Sequence, residues 1–153
     1  MENDYEIDHE NWYEYLVIGC GAIGFSVIKE LVKRNKKVLA VDISAERVEV
    51  LKDQEYDAII ADATNDELYK SINLSRVSIV LILTPNVEVN CQITKKIRKI
   101  SKEVFIISRA TNQKTKEELE AIGADFVVTP QDAMKNAIIN AIEEAVSYTH
   151  LTL

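Results

Sequence analysis

The sequence has few of the residues that carry metal, disulfide or acid–base chemistry. Its 153 residues include two cysteines and two histidines. Cys20 and Cys91 have no metal-type partners nearby, so neither a disulfide framework nor a zinc site is predicted. His9 and His150 lie in the two end segments, which leaves no histidine for a Ser-His-Asp set between them. We therefore predict no metal site and no catalytic residue.

Long apolar runs and clustered cations are also missing. No apolar run reaches the roughly 18 residues that a membrane-spanning helix needs, and the first residues are acidic and polar, unlike a secretion signal. The net charge is −7, and the main basic run is KRNKK at 33–37. A nucleic-acid-binding surface would need many more clustered cations. We expect a cytoplasmic protein with no direct membrane insertion and no nucleic-acid partner.

What is present is an alternation of short Val- and Ile-rich runs with amphipathic helical segments. Continuous apolar runs of this length are typical of strands buried on both faces of a parallel sheet. The pattern predicts an α/β fold: a Rossmann-like, doubly wound, parallel six-stranded sheet with helices on both faces. Strands are predicted at 15–19, 37–42, 57–61, 77–83, 104–108 and 125–129, and helices at 22–34, 45–53, 86–100, 116–122 and 130–146.

Capping residues predict several helix ends. Ser44 can cap the helix at 45–53, and Gly123 can close the helix that begins at 116. Thr64 and Thr115 each precede a glutamate by three residues, which is the spacing of a capping box. The helix at 86–100 is predicted to bury one apolar stripe, formed by Val89, Ile93, Ile97 and Ile100.

The ends of the chain look different from this pattern. Residues 1–13 form a polar N-terminal segment, and the single predicted domain covers 14–146. The helical pattern of 131–146 stops without a glycine cap, and 147–153 (SYTHLTL) fits poorly with it. We interpret 147–153 as a non-native or disordered tail, which leaves room for further domains after residue 146 in the natural protein.

Three glycines follow the first predicted strand and open the first predicted helix. Gly19, Gly21 and Gly24 form G-x-G-x-x-G. Gly19 allows the tight turn, Gly21 lets the backbone approach a pyrophosphate, and Gly24 lets the helix pack closely on the sheet. The free N–H groups at the start of that helix favour phosphate oxygens. This arrangement predicts a dinucleotide or adenine-nucleotide site.

Asp42 strengthens this prediction because it ends the second strand, eighteen positions after Gly24. A carboxylate at this point accepts hydrogen bonds from an adenosine ribose and repels a 2′-phosphate. No arginine directly follows Asp42, and Arg47 falls inside the next helix. We therefore expect NAD(H) to be favoured over NADP(H).

Other strand ends add three candidates to the same crevice. Asp62 follows the third strand and could contact the adenine amino group, or simply cap a helix. Thr84 follows the fourth strand and could line the crevice near the second nucleoside, or form the turn into the next helix. Arg109 ends the fifth strand, where it could pair with phosphate oxygens or form a surface salt bridge.

A hydride-transfer enzyme needs a substrate pocket and a proton donor in addition to a cofactor site. The chain has no histidine between residues 10 and 149 and no room for a second domain. The sequence therefore favours a binding and regulatory domain that is not an enzyme, in which nucleotide binding shifts the states of a larger assembly.

Several motifs in order resemble the TrkA-N domain, the NAD-binding half of the RCK regulators of potassium channels and transporters. They are VIGCGAIG at 17–24, VLAVD at 38–42, ADAT at 61–64, LTPNVEVN at 83–90 and ISRA at 107–110. The resemblance covers 14–146 and implies control of potassium transport, with NAD(H), or ATP or ADP instead, as the ligand. Ala61 departs from the glycine common in the family.

The resemblance also implies roles for individual residues. It places Gly19, Gly21, Ala22, Ile23, Gly24 and Asp42 against the phosphates and ribose, Asp62 and Ala63 against the adenine, and Arg109 against a phosphate. It implies a homodimer or larger ring, for which the apolar stripe of 130–146 offers an interface, and a potassium channel or transporter membrane subunit as partner. The alternative is the nucleotide-sensing domain of a DHH-family, exopolyphosphatase-related phosphoesterase, with a downstream phosphoesterase domain as partner. A stand-alone NAD-dependent oxidoreductase is the third interpretation.

Overall fold

A computed structural model describes residues 12–152, with the side chains of 12–149. Nearly all of the predicted polar segment 1–13 lies outside the described residues, and so does His9. Within that segment, the Trp12 ring packs against two cations, with Nζ of Lys37 4.9 Å and Cζ of Arg76 5.2 Å from the ring centroid. The start of the described chain is therefore held against the end of the sheet that carries the strand N-termini.

The predicted parallel six-stranded sheet is confirmed. Neighbouring strands pair in parallel throughout, in the order β3-β2-β1-β4-β5-β6. The order reverses between β1 and β4, which lie side by side at the centre of the sheet. The strands are β1 Tyr15–Ile18, β2 Val38–Asp42, β3 Ala58–Ile60, β4 Ile79–Ile82, β5 Phe105–Arg109 and β6 Phe126–Val128.

Side chains from alternate positions of each strand build two separate cores. Leu39 and Val41 of β2 enter one core, whereas Val38 and Ala40 enter the other. Helices α1 and α2 cover the second core, and α3, α4 and α5 cover the first. Both faces of the sheet are thus buried, which explains why the strands read as continuous apolar runs. The helices are α1 Ala22–Lys33, α2 Ala45–Asp53, α3 Asp66–Ser71, α4 Val87–Ile100, α5 Gln113–Ile122 and α6 Pro130–Thr152.

The helix starts are partly as predicted. Ser44 caps α2 through its hydroxyl, and Gly123 ends α5 with a φ of 128°. The capping-box spacing of Thr64 and Thr115, however, gave wrong starts. Asn65 caps α3, and Asn112 caps α5, which begins at Gln113 rather than at 116. In both cases the side-chain oxygen of an asparagine accepts a backbone N–H of the first helical turn, which has no acceptor within the helix.

Helix α6 begins at Pro130 as predicted, with the Thr129 hydroxyl accepting the Asp132 N–H. It continues to Thr152, so the predicted stop at 146 is wrong; the non-native origin of 147–153 stays a prediction. Its apolar stripe is exposed rather than packed on the sheet, with Ile138 52% exposed. Among residues 12–152, no helix has the length and apolar character that crossing a membrane requires.

Candidate functional site

A crevice lies where the strand order reverses, outside the carboxyl ends of β1 and β4. This is the position at which open α/β sheets bind their ligands. The crevice encloses about 640 Å³, within the range of small-molecule sites. All ten sequence-predicted site residues line it: Gly19, Gly21, Ala22, Ile23, Gly24, Asp42, Asp62, Ala63, Thr84 and Arg109. Their roles in binding stay predictions.

Each of the three glycines of the loop is required, or tolerated, for a different structural reason. Gly19 has a φ of 93°, and a Cβ there would lie 2.7 Å from the backbone nitrogen of Thr84. A Cβ on Gly24 would lie 2.0 Å from the carbonyl oxygen of Gly19, so α1 can leave the loop at this angle only without a side chain. A Cβ on Gly21 would meet only the Arg47 side chain, 4.0 Å away. Gly21 therefore leaves open space above the backbone at the mouth of the crevice.

The Asp42 carboxylate is held in place by two backbone N–H groups, one from the glycine loop and one from the residue before α2. The residue is 5% exposed, and its carboxylate accepts the Cys20 N–H at 2.7 Å and the Ser44 N–H at 2.8 Å. These bonds join the glycine loop to the start of α2. Because each carboxylate oxygen has a second lone pair, Asp42 can still accept hydroxyl groups from a sugar.

Arg47 lines the crevice although the sequence analysis gave it no role there. It lies in the first turn of α2, and its Nη1 is 3.6 Å from Oδ2 of Asp42. The sequence places Arg47 inside a helix and does not show in which direction its side chain extends. The short turn between β2 and α2 brings the guanidinium over the rim, beside the Asp42 carboxylate.

Cys20 lies inside the glycine loop but does not face the crevice as a reactive thiol. It is buried, and its Sγ donates to the Val41 carbonyl at 3.4 Å. Burial, followed by the nearby Asp42 carboxylate, raises the pKa of the thiol to about 12. The loop therefore holds a protonated, inert cysteine at neutral pH.

Two side chains shape the wall after β3. Asp62 accepts the Thr64 hydroxyl at 2.7 Å and the Thr64 N–H at 2.9 Å, and these bonds lower the pKa of its carboxyl. The buried Tyr69 hydroxyl donates to the Ala63 carbonyl at 2.6 Å. Asp62 is thus an exposed carboxylate on a fixed turn, and Ala63 presents a small apolar surface beside it.

The opposite wall depends on Asn90 of α4, which the sequence analysis placed on no site. Its side chain is fully buried. Nδ2 donates to the carbonyls of Thr84 and Arg109, both at 2.9 Å, and Oδ1 accepts the Thr84 hydroxyl. One amide therefore ties the end of β4 to the end of β5 and fixes both predicted residues. Arg109 is half-buried and its Nη1 lies 3.4 Å from the Leu83 carbonyl oxygen.

The remaining lining is mostly apolar and was only partly foreseen. Residues to which the sequence gave no place in the site include Ile43, Val89 and Gln92, whereas Ala61 was noted as a departure from the family pattern and does line the crevice. Their positions just after a strand, or in the first turns of a helix that follows one, were the available signal. Among the described residues, no group of three or more His, Cys, Asp or Glu side chains could hold a metal ion.

Taken together, the crevice offers a backbone-lined loop at a helix N-terminus, two carboxylates on the wall formed by β2 and β3, and one arginine on each wall. This arrangement can bind an anionic group flanked by a polar sugar-like group and a flat apolar one.

Comparison with known proteins identifies the family. The TrkA-N domain family model matches residues 15–130. The chain is 45% identical to the NAD(P)-binding domain of an exopolyphosphatase-related protein from Archaeoglobus fulgidus, with a TM-score of 0.81. That similarity covers 86% of this chain and 98% of the other.

Two curated relatives carry the name Ktr system potassium uptake protein A. The protein from Vibrio alginolyticus is 32% identical over 79% of this chain and 55% of its own length. The protein from Bacillus subtilis is 30% identical over 91% of this chain and 64% of its own length. The chain therefore spans between about half and two thirds of the length of these relatives.

Proposed function

The chain belongs to the TrkA-N domain family, and on that premise we propose that it is a regulatory domain that binds NAD(H) in the crevice at the carboxyl ends of β1 and β4. The observation that carries this proposal is the rim itself. The backbone above Gly21 is open, and the Asp42 carboxylate is held beside it by the Cys20 and Ser44 N–H groups. A diphosphate and its attached ribose need these two features next to each other.

The proposed binding mode assigns one part of the nucleotide to each wall. The pyrophosphate lies on the backbone of 19–24 at the start of α1, and Arg109 approaches it from β5. The adenosine ribose bonds to Asp42, and the adenine lies against Ala63 with Asp62 near its amino group. Thr84 lines the side of the second nucleoside. ADP and ATP share the adenosine half of this mode, so they are alternative ligands.

We assign the domain to the control of potassium transport, because two relatives of 30% identity or more are named potassium uptake proteins. In this role it is a cytoplasmic homodimer or larger ring, peripheral to the membrane through a channel or transporter subunit. The exposed stripe of α6 supports self-association, since Met134, Ile138 and Ile142 are each more than half exposed. Scattered apolar side chains are normal on surfaces, but a contiguous row along one helix is typical of an interface.

A second candidate is a nucleotide-sensing domain attached to a DHH-family phosphoesterase. Its support is the 45% identity to a domain of an exopolyphosphatase-related protein, with 98% of that domain covered. The two candidates share the binding site and differ in what the nucleotide controls. The coding sequence that adjoins this segment in its gene separates them: a D-H-H motif favours the phosphoesterase, and a second regulatory domain favours the transporter.

The proposal assigns no turnover to this domain. The crevice brings together carboxylates, arginines and amides, but the sequence between residues 10 and 149 supplies no histidine to donate a proton. A hydride-transfer assay with NADH and a panel of small carbonyl compounds should therefore show no oxidation above background, and measurable turnover would favour the oxidoreductase interpretation.

Titration calorimetry with NADH, NAD⁺, ADP and ATP tests the binding site. We expect binding of NADH by the unmodified chain, and we expect Asp42→Asn to weaken it by about tenfold or more, because a charged hydrogen bond to ribose contributes about 1.5–3 kcal/mol. The asparagine side-chain oxygen can still accept one of the two backbone N–H groups, which limits the effect on folding.

Asp57→Asn is the matched control, because Asp57 precedes β3 on the far side of the sheet and bonds to Tyr13. It should bind NADH like the unmodified chain. Equal NADH affinity in the Asp42→Asn and Asp57→Asn variants would remove Asp42 from the site.

A further inference from the structure

Arg47 lies between the two features to which the proposed function assigns the adenosine ribose and the pyrophosphate. Its Nη1 is 3.6 Å from Oδ2 of Asp42, and its Cζ is 4.0 Å from where a Cβ on Gly21 would lie. The side chain is 54% exposed. Within the described residues, Asp42 is its only ion-pair partner and its guanidinium makes no hydrogen bond. The guanidinium is therefore free to turn toward a ligand on the rim.

The charges of the crevice are divided between its two walls. Asp42 and Asp62 lie on the wall formed by β2 and β3, and Arg109 lies across the sheet at the end of β5. Arg47 is the cation among the described lining residues on the Asp42 side. The rim around the ribose position is thus an ion pair rather than an isolated carboxylate.

This pairing changes the expectation that follows from Asp42 alone. A lone carboxylate at the end of the second strand repels a phosphate on the ribose 2′-oxygen, whereas a nearby arginine accommodates it. A guanidinium presents two parallel N–H donors that match phosphate oxygens, and it keeps its charge at all relevant pH values. In this chain both groups are present, and they lie within one side-chain length of each other.

We propose that Arg47 is a specificity-determining residue that lets the crevice accept a 2′-phosphate on the adenosine ribose. NADPH then binds with an affinity within about tenfold of NADH, because the arginine offsets the repulsion from Asp42. The inference rests on the proposed function, since it assigns a further contact within the same site. It also reverses the preference for NAD(H) that the spacing of Asp42 predicts.

The test compares NADH with NADPH, and ADP with 2′,5′-ADP, by calorimetry on the same chain. Arg47→Gln should weaken NADPH binding by about tenfold or more, as loss of a charged hydrogen bond does, and should weaken NADH binding by a clearly smaller factor, because NADH carries no 2′-phosphate. Arg47→Lys keeps the charge and should retain most of the NADPH affinity. The ADP pair isolates the 2′-phosphate from any contribution of the nicotinamide.

Arg34→Gln is the control for net charge, because Arg34 ends α1 far from the crevice and pairs with Glu30 on the surface. It should leave both affinities unchanged. Thermal unfolding of each variant separates loss of binding from loss of folding.

The outcomes of this test separate the inference from the proposed function. Selective loss of NADPH and 2′,5′-ADP binding in Arg47→Gln supports the inference. Binding of NADH with NADPH about 100-fold weaker in the unmodified chain, or an equal loss of both in Arg47→Gln, overturns the inference and leaves the proposed function standing. A folded chain that binds none of these nucleotides overturns both.

Discussion

The two walls of the crevice are built by different means. The wall around β1 and β2 is organised by backbone: glycines that admit close approach, and two N–H groups that hold Asp42. The wall around β4 and β5 is organised by one buried side chain, Asn90, which bonds to Thr84 and to the Arg109 carbonyl. The first wall depends on glycines that carry no side chain, and the second depends on the single buried amide of Asn90.

This difference predicts different sensitivities to substitution. Where backbone atoms form the wall, a single added methyl group can greatly destabilise the fold or leave its stability unchanged, depending on which glycine carries it. Where one side chain forms the wall, removing its polar atoms leaves several partners unsatisfied together.

Gly24→Ala and Gly21→Ala should separate folding from binding within the glycine loop. The Gly24 methyl would lie 2.0 Å from the Gly19 carbonyl oxygen, so we expect a loss of about 3 kcal/mol in the free energy of unfolding. The Gly21 methyl meets only open space and a movable arginine, so its stability should be close to that of the unmodified chain while nucleotide binding weakens. Urea unfolding and calorimetry measure the two effects. Similar stability losses in both variants would contradict the assigned roles.

Asn90→Leu should destabilise the second wall by about 2–3 kcal/mol, because the buried carbonyls of Thr84 and Arg109 lose their donors. Leucine has the same branching and the same number of side-chain heavy atoms as asparagine, so the variant leaves no cavity. Asn140→Leu on the exposed surface of α6 is the control and should change stability by less than about 0.5 kcal/mol. Chemical unfolding of both variants measures this difference. Equal stability of the two variants would show that Asn90 does not hold the wall together.

Most of the first wall could be predicted from the sequence. Its chemistry follows from spacing: a strand, three glycines, a helix, and an acidic residue at the end of the next strand. Each of these is local, so Gly19, Gly24 and Asp42 could be placed before any tertiary contact was known. The sheet followed for the same reason, since strands buried on both faces leave long apolar runs in the sequence.

The second wall could not be predicted in the same way. The apolar stripe predicted for α4 ended on Ile100, which is exposed, and it passed over Asn90 and Thr94, which are buried. A buried amide is stable only when distant groups satisfy it, and here these groups come from β4 and β5. Arg47 was missed because its relation to Asp42 depends on the turn between β2 and α2. Helix α6 continues past its predicted end at 146 because 147–152 contains no glycine or proline that would stop a helix.

Cys20 gives the smallest expected effect. Its thiol is buried and its pKa is raised to about 12, so almost no thiolate exists at pH 8 and alkylation should be very slow. The half-buried Cys91 should react first, and Cys20 should react only after unfolding in guanidinium. Mass spectrometry of chain treated with iodoacetamide measures both sites. Modification of Cys20 in the folded chain at the rate of Cys91 would mean that the glycine loop opens far more readily than its packing implies.

The central claim is that the loop at 19–24 and the carboxylate of Asp42 together bind a nucleotide. A crystal structure of the chain grown with saturating NADH tests it most directly. The account predicts the pyrophosphate on the backbone at Gly21 and the adenosine ribose within hydrogen-bonding distance of Asp42. A nucleotide bound elsewhere on the sheet, or a crevice that stays empty at saturating NADH, would contradict it.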